Sequence, residues 1–270
     1  MSTLAAPQRR SLRNLSGDVK MAFSQLRYEQ LSFWRNPVAA VFTVGFSVIF
    51  LVMLGAAAGN SKSSVLPGIR LVQYYVPVFT AYGVMSTAFS NLALTIVVRR
   101  ESGQLKRLRL SPLSVGSLLG GLFLNMLAVC VLQVILLLGI GRFGYHVQLP
   151  SQWLPLVLAL LVGAICFAAL GIGVSSLVPN QEAGGPLANI AFFVLLFVSG
   201  MWFPILPSSG LAKIATYFPI IHFFNAVVAP FYSAQGGSPW RWHDLGVLAL
   251  WGIAGVVIAL RRFRFEPRRH

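Results

Sequence analysis

A chain of 270 residues that is 56% hydrophobic and only 10% charged, with mean hydropathy +0.75, falls outside the soluble domains, in which about 25% of residues carry charge. Its formal net charge of +15 would mark a nucleic-acid partner in a soluble protein, but here the cations flank apolar runs and are explained by membrane topology, so no nucleic acid is expected. A helix needs about 20 apolar residues to cross a hydrocarbon core about 30 Å thick, and six such runs predict one all-α membrane domain with six transmembrane helices.

Residues 1–36 precede the first run and carry no apolar stretch of the kind that a cleavable signal needs, so the first span is expected to stay as a signal anchor. Within them Val19, Ala22, Phe23, Leu26, Phe33 and Trp34 recur at helical spacing, with Lys20, Ser24, Arg27 and Arg35 mostly elsewhere on the wheel. That pattern describes an amphipathic helix lying in the inner interface. Asp18 suits its positive end, and Pro37 turns the chain into the bilayer. The expected division is a cytoplasmic N-terminus over 1–36, a transmembrane domain over 37–262 and a basic cytoplasmic tail over 263–270.

The spans are placed at 38–58, 72–98, 113–141, 153–177, 186–206 and 243–260. Cys130 and Cys166 fall within them and act as small apolar fillers, without a disulfide framework or zinc site. Between the second and third spans lies RRESGQLKRLRLSP, with Arg99, Arg100, Lys106, Arg107 and Arg109 alternating with Leu105 and Leu108 about a short turn that starts near Glu101 and ends at Pro112. A stop-transfer signal needs cations there, but it needs no apolar face. Lys and Arg also gather before the first span (Arg9, Arg10, Arg13, Lys20, Arg27, Arg35) and after the sixth (Arg261, Arg262, Arg264, Arg268, Arg269). The other side holds Lys62, Arg70, Arg142, Lys213 and Arg241. Both termini and the 99–112 loop are therefore expected in the cytoplasm.

Residues 211–229 imitate a seventh span. Crossing there would place the terminal arginines outside and bury Lys213, Pro219 and His222, so a segment that dips in from the outer face and returns fits better. The prolines at 204, 207, 219 and 230 supply the breaks. Inside the spans the polar residues are neutral: Asn91, Thr95, Asn125, Gln133 and Asn189. A proton- or ion-coupled carrier keeps an intramembrane charge, because each costs about 2.5 to 3.5 kcal/mol to insert; Asp244, at the edge of the sixth run, is the one acid in the six.

His146, His222, His243 and His270 are scattered, without HExxH, a carboxylate at helical spacing or GxSxG, and His222 reads as a ring satisfied by local backbone or as a vestibule wall. There is no G-x-x-x-x-G-K-[ST], so uphill transport would draw its energy from another polypeptide. Gly55-x-x-x-Gly59 and Gly116-x-x-x-Gly120 offer faces for a second copy of the chain.

The stretch VVRRESGQLKRLRLSPLS resembles the first cytoplasmic loop of the type-2 ATP-binding-cassette (ABC-2 type) exporter permeases, of the drug-resistance or daunorubicin-exporter kind. FFVLLFVSGMWFPILPSSGLAKIATYFPIIHFFNAVV is similar to that family's fifth span and outer re-entrant helices, and the helix ending in Arg35-Asn36-Pro37 to its elbow helix. The resemblance implies a coupling segment at Arg99, Arg100, Glu101, Gly103, Leu105 and Leu108 that docks on a cytosolic ATPase, with an interfacial helix (Leu26, Arg27, Arg35) beside it. It implies an outer gate at Ser199, Gly200, Phe203, Pro204, Pro219 and His222. Two permeases and two ATPases would form the complex in the cell membrane, with ATP and Mg bound only by the ATPase. The translocation path is expected along Phe79, Tyr82, Asn91, Phe193 and Phe197, walls that suit amphiphilic or apolar cargo. Drug or antibiotic efflux is thus the first reading and export of a lipid, polysaccharide or other glycoconjugate the second. A membrane-embedded transferase is the alternative from another class. The SAQGGSPWRWHD connection is longer than the family's.

Overall fold

The apolar runs become helices because a backbone shielded from water must satisfy its own hydrogen bonds. The computed structural model describes residues 15–58, 61, 69–104, 115–178, 181–199, 210–232 and 238–262. Helix α1 is Leu15–Trp34. Helix α2 runs over 37–58 and widens into a π turn at Val41–Gly45. Helix α3, Leu71–Glu101, contains a second π turn at Thr87–Asn91. Helix α4 covers 115–144 and ends in a third at Ile140–Gly144. Then come α5 (Trp153–Leu177), α6 (Gln181–Val198), the short α7 (Gly210–Ala215), α8 (Pro219–Tyr232) and α9 (Trp242–Arg262).

Four of these segments are long and apolar enough to cross a membrane: Leu71–Glu101, Leu119–Gly144, Trp153–Leu177 and Trp242–Arg262. The runs expected at 38–58 and 186–206 appear as the shorter apolar helices Val41–Ala57 and Glu182–Val198. At 1.5 Å per residue the 31-residue α3 is about 46 Å long, more than a hydrocarbon core requires, and its charged residues Arg99, Arg100 and Glu101 all fall in its last turn.

Helices α3, α5 and α9 run in the same direction. A Cβ added to Gly171 would lie 2.6 Å from the Phe89 carbonyl, one on Gly255 would lie 2.7 Å from the Ala169 backbone, and one on Gly252 would lie 3.4 Å from the Cys166 Cα. Backbones meet directly there, which is how small residues join helices where hydrophobic driving force is weak. Gly55, expected on a face for a second chain, is instead covered within the chain. The Tyr145 ring lies 2.7 Å from where its Cβ would be, and the Tyr145 hydroxyl donates to the Val52 carbonyl at 2.9 Å. Gly59 and the side chains around Gly116 lie outside the described residues.

Pro77 has no N–H to offer the Gln73 carbonyl one turn earlier, and the Tyr232 hydroxyl of α8 takes that carbonyl at 2.9 Å. The break in α3 thereby anchors the end of α8. Deeper in, the first two π turns face a fully buried Gln133 on α4. Its Nε2 donates to the Thr43 carbonyl at 3.2 Å and to Ser47 Oγ at 2.7 Å, while its Oε1 accepts from Thr87 Oγ1 at 2.9 Å. Gly83 leaves the slot that holds this side chain. An amide in the middle of a bundle is tolerated because every one of those bonds is made.

Candidate functional site

Polar groups gather at both ends of the bundle. At the arginine-rich end, α3 stops at Glu101 and Gly103 takes φ +71°, a left-handed conformation that glycine adopts without strain. Its N–H bonds the Arg100 carbonyl at 3.1 Å. The glycine of RRE-x-G is thus the residue that turns the chain out of the helix.

Arg99 and Arg100 do different work. Arg99 makes a two-pronged pair with Glu29 of α1, Nη1 donating to Oε1 at 2.7 Å and Nη2 donating to Oε2. Such forked pairing fixes orientation as well as distance. Arg100, expected on the coupling surface, is only 2% exposed. It donates from Nη1 to the Ser175 carbonyl (3.1 Å), from Nη2 to the Val178 carbonyl (2.7 Å) and from Nε to Glu101 (2.8 Å). The first is a last-turn carbonyl of α5, which has no partner within its own helix, and the second belongs to Val178, the extended residue that follows; both sit at the helix's negative end. Arg100 is therefore an internal clamp and does not present its guanidinium to a docking partner. Leu105 and Leu108 lie outside the described residues.

Helix α1 turns Glu29 and Gln30 to the protein and leaves large apolar side chains, interspersed with polar ones, on its exposed side. Glu29 is buried and Gln30 Nε2 donates to Asn125 Oδ1 of α4 at 2.9 Å, whereas Phe23, Tyr28, Leu31 and Trp34 are exposed. Leu26 is half-buried, and Arg27 and Arg35 are exposed. Between α1, α3 and α4 lies a cavity of about 340 Å³, lined by Glu29, Ser32, Asn91, Thr95, Arg99, Asn125 and apolar neighbours including Phe33, Leu122 and Met126. Asn91 Nδ2 donates to Thr43 Oγ1, and Thr95 Oγ1 donates to Asn91 Oδ1, both at 3.4 Å.

The five residues expected to line a path do not share a surface. Phe79 and Tyr82 are buried in the core, packed with Phe46, Phe50, Tyr75 and Phe192. Aromatic side chains fill core gaps as readily as they line channels, and that is their place here. Phe193 and Phe197 are exposed on the outer side of α6, at 63% and 60%. Asn91 lines the cavity.

At the opposite end, α8 and α9 bring His222 and Asp244 together. His222 Nδ1 lies 2.6 Å from Asp244 Oδ1 and its Nε2 lies 2.9 Å from the Thr216 carbonyl. Arg241 Nε donates to Asp244 Oδ2 at 2.6 Å. The histidine read as backbone-satisfied is that and also a carboxylate partner. Their separation of 22 residues in two helices hid the pair from any spacing rule. One nitrogen each from His222 and His243 and an Asp244 oxygen lie within 4.8 Å of one another. Both carboxylate oxygens, however, are already held at 2.6 Å by Arg241 and His222, which is the geometry of a hydrogen-bonded ion cluster. Ser199 and Pro219 are buried, and Gly200, Phe203 and Pro204 lie outside the described residues.

Residues 67–261 match the family model for ABC-2 family transporter proteins. No curated protein matches the chain.

Proposed function

The chain belongs to the ABC-2 family of transporter proteins, whose model spans well over half of it, and from that premise we propose that it is the membrane subunit of an ATP-driven exporter. As a transport subunit of this family it is not itself the ATPase. ATP and Mg belong to two copies of a partner ATPase, and a second permease completes the conduit in the cell membrane. The observation that carries this reading is the arginine-rich end of α3. The helix is longer than a hydrocarbon core requires, ends at Glu101 with Gly103 turning the chain away, and is braced to α1 by Glu29–Arg99 and to α5 by Arg100. A loop moved by a partner transmits that movement only if its base is rigidly fixed to several helices, and this base is fixed to two.

In this reading Leu105 and Leu108, in the loop between Gly103 and Pro112, meet the ATPase, and Glu101 and Gly103 set the direction in which the loop leaves. Both termini face the cytoplasm with the loop, as the positive charge requires. The α2 and α6 segments complete six crossings. Residues 210–232 form a re-entrant pair: the Tyr217 carbonyl accepts from Trp251 Nε1, well inside α9, and α8 returns to Gln73 near the start of α3. Backbone breaks at that depth need cover from protein, and α5 and α9 supply it.

The cargo is an amphiphile. Amide, hydroxyl and ion-pair groups on an otherwise apolar cavity match a polar head joined to an apolar body. A drug or antibiotic has that form. A lipid or glycoconjugate has it too, and the run of Asn91, Thr95, Asn125 and Ser32 favours that second reading for a hydroxylated head.

The test is purification from the native host without crosslinker. An ATPase with a phosphate-binding loop is expected to accompany the chain and to be lost from the Leu105→Glu/Leu108→Glu variant. Retention of the ATPase by that variant, with transport unchanged, would remove the loop from the mechanism. Export assays with lipophilic dyes and with glycolipids then separate the two classes of cargo.

A further inference from the structure

The cluster at the far end of the bundle has a hydrogen-bond inventory that only one form of the ring satisfies. Both nitrogens of His222 face oxygens: Asp244 Oδ1 at 2.6 Å and the Thr216 carbonyl at 2.9 Å. A backbone carbonyl only accepts. Asp244, whose other oxygen takes the Arg241 Nε–H at 2.6 Å, is the ion-pair partner of that guanidinium and in that pairing also only accepts. A neutral imidazole has one N–H, so one of the two contacts would set a nitrogen lone pair against an oxygen lone pair. His222 is buried, and the contact distances leave no room for water between the partners.

We propose that His222 is a proton-operated clasp: doubly protonated, it ties the turn between α7 and α8 to the start of α9 through Thr216 and Asp244, and loss of one proton releases one of the two ties.

Thr216 lies in that turn, His222 in the first turn of α8 and Asp244 in the first turn of α9. The turn has a second attachment, from Trp251 Nε1 to the Tyr217 carbonyl at 2.9 Å, which does not titrate. Releasing the clasp therefore loosens the turn on one side and leaves it hinged on the other. Among the described residues, the charged and titratable groups at His222 are Asp244, Arg241 through Asp244, and the exposed His243, whose ring centre is 5.6 Å away. Helix α7 carries Lys213, which is exposed. Helix α5 meets α8 through Phe167 against Phe223 and through Gly163, and α3 meets its far end through Gln73 and Tyr232, beside Tyr74. Helix α6 contributes Glu182 in its own first turn, exposed. The sign is set by the bonds: two ties in acid, one in base, so the clasp weakens as pH rises.

The inference concerns the chain itself and is read without a transport assay, so its failure and the failure of the exporter reading are separable. The full chain, with ¹⁵N-labelled histidine, is placed in phosphatidylcholine bilayers and followed by solid-state NMR from about pH 5 to about pH 9, which spans the range in which an imidazole changes charge. His222→Gln and His243→Gln assign the signals. Both His222 nitrogens are expected to carry hydrogen at the acid end and one to lose it toward the alkaline end. Over the same range, amide exchange of 213–222, divided by the intrinsic rate at each pH, should rise about tenfold, the effect of one charged hydrogen bond. In His222→Gln the exchange should be fast and independent of pH. A neutral ring at the acid end would overturn the proposal, as would unchanged protection across the titration. Ring signals that shift on adding EDTA would show a metal in place of the proton and overturn it too. The wild-type titration alone decides the matter if a variant does not fold.

Discussion

The two ends of the bundle solve one problem, holding an acid in a nearly acid-free protein, with different partners. Of only six acidic residues in the chain, Glu29 and Glu101 pair with Arg99 and Arg100 at one end, and Asp244 pairs with Arg241 and His222 at the other. The first end is built from arginines, which stay charged at every physiological pH, and joins three helices permanently. The second includes a histidine, whose charge is adjustable, and joins a short turn to one helix. On the function proposed, rigidity would serve the end where force enters and a releasable contact the far segment.

The contrast is broken most strongly by Arg100→Ala. Removing the buried clamp leaves the Ser175 and Val178 carbonyls and Glu101 without their donor, at a cost of about 3 kcal/mol. A loss of folded yield and a fall in thermal midpoint at every pH are expected, measured by fluorescence-detected size exclusion after heating. Next is Gln133→Leu, which deprives Thr43, Ser47 and Thr87 of their shared partner midway between the ends, for about 2 kcal/mol in the same assay. Gly255→Ala sharpens the comparison by driving a methyl against the Ala169 backbone, where α5 and α9 connect the two ends; about 1 to 2 kcal/mol is expected, with ATPase activity retained and its coupling to transport reduced. Glu29→Gln should cost about 1 kcal/mol, yet lower transport per ATP hydrolysed by freeing α1 from α3. The smallest effect belongs to Arg27→Ala, whose side chain is exposed and whose removal should change stability by less than about 0.5 kcal/mol.

Much of this arrangement was legible in the sequence where the signal is local. Run length located the apolar helices, although α3 runs on past the expected end at 98 to Glu101, and the helical spacing that includes Phe23 and Trp34 identified a helix with exposed apolar residues. What escaped was long-range pairing. Glu29 and Arg99 are 70 residues apart, and Gln133 is 46 from Thr87 and 90 from Thr43. No periodicity encodes such partners. The rarity of acids was the available signal, because a carboxylate kept in so apolar a chain is kept for a bond. Aromatic residues misled in the other direction. Phe79 and Tyr82 have the composition of a channel wall and the burial of a core, and sequence cannot separate the two when both sides of a helix are apolar. Glycine spacing misled similarly at Gly55, whose close neighbour proved to be Tyr145 of the same chain.

The account's central claim, that this chain is a passive conduit moved by a nucleotide-hydrolysing partner, is met most directly by reconstitution in lipid vesicles with an amphiphilic fluorescent cargo. Cargo movement is expected only when the partner ATPase and Mg-ATP are both present on the side of the 99–112 loop, and is expected to stop in the Leu105→Glu/Leu108→Glu variant. Full uphill movement by this chain alone, without ATP, would contradict it.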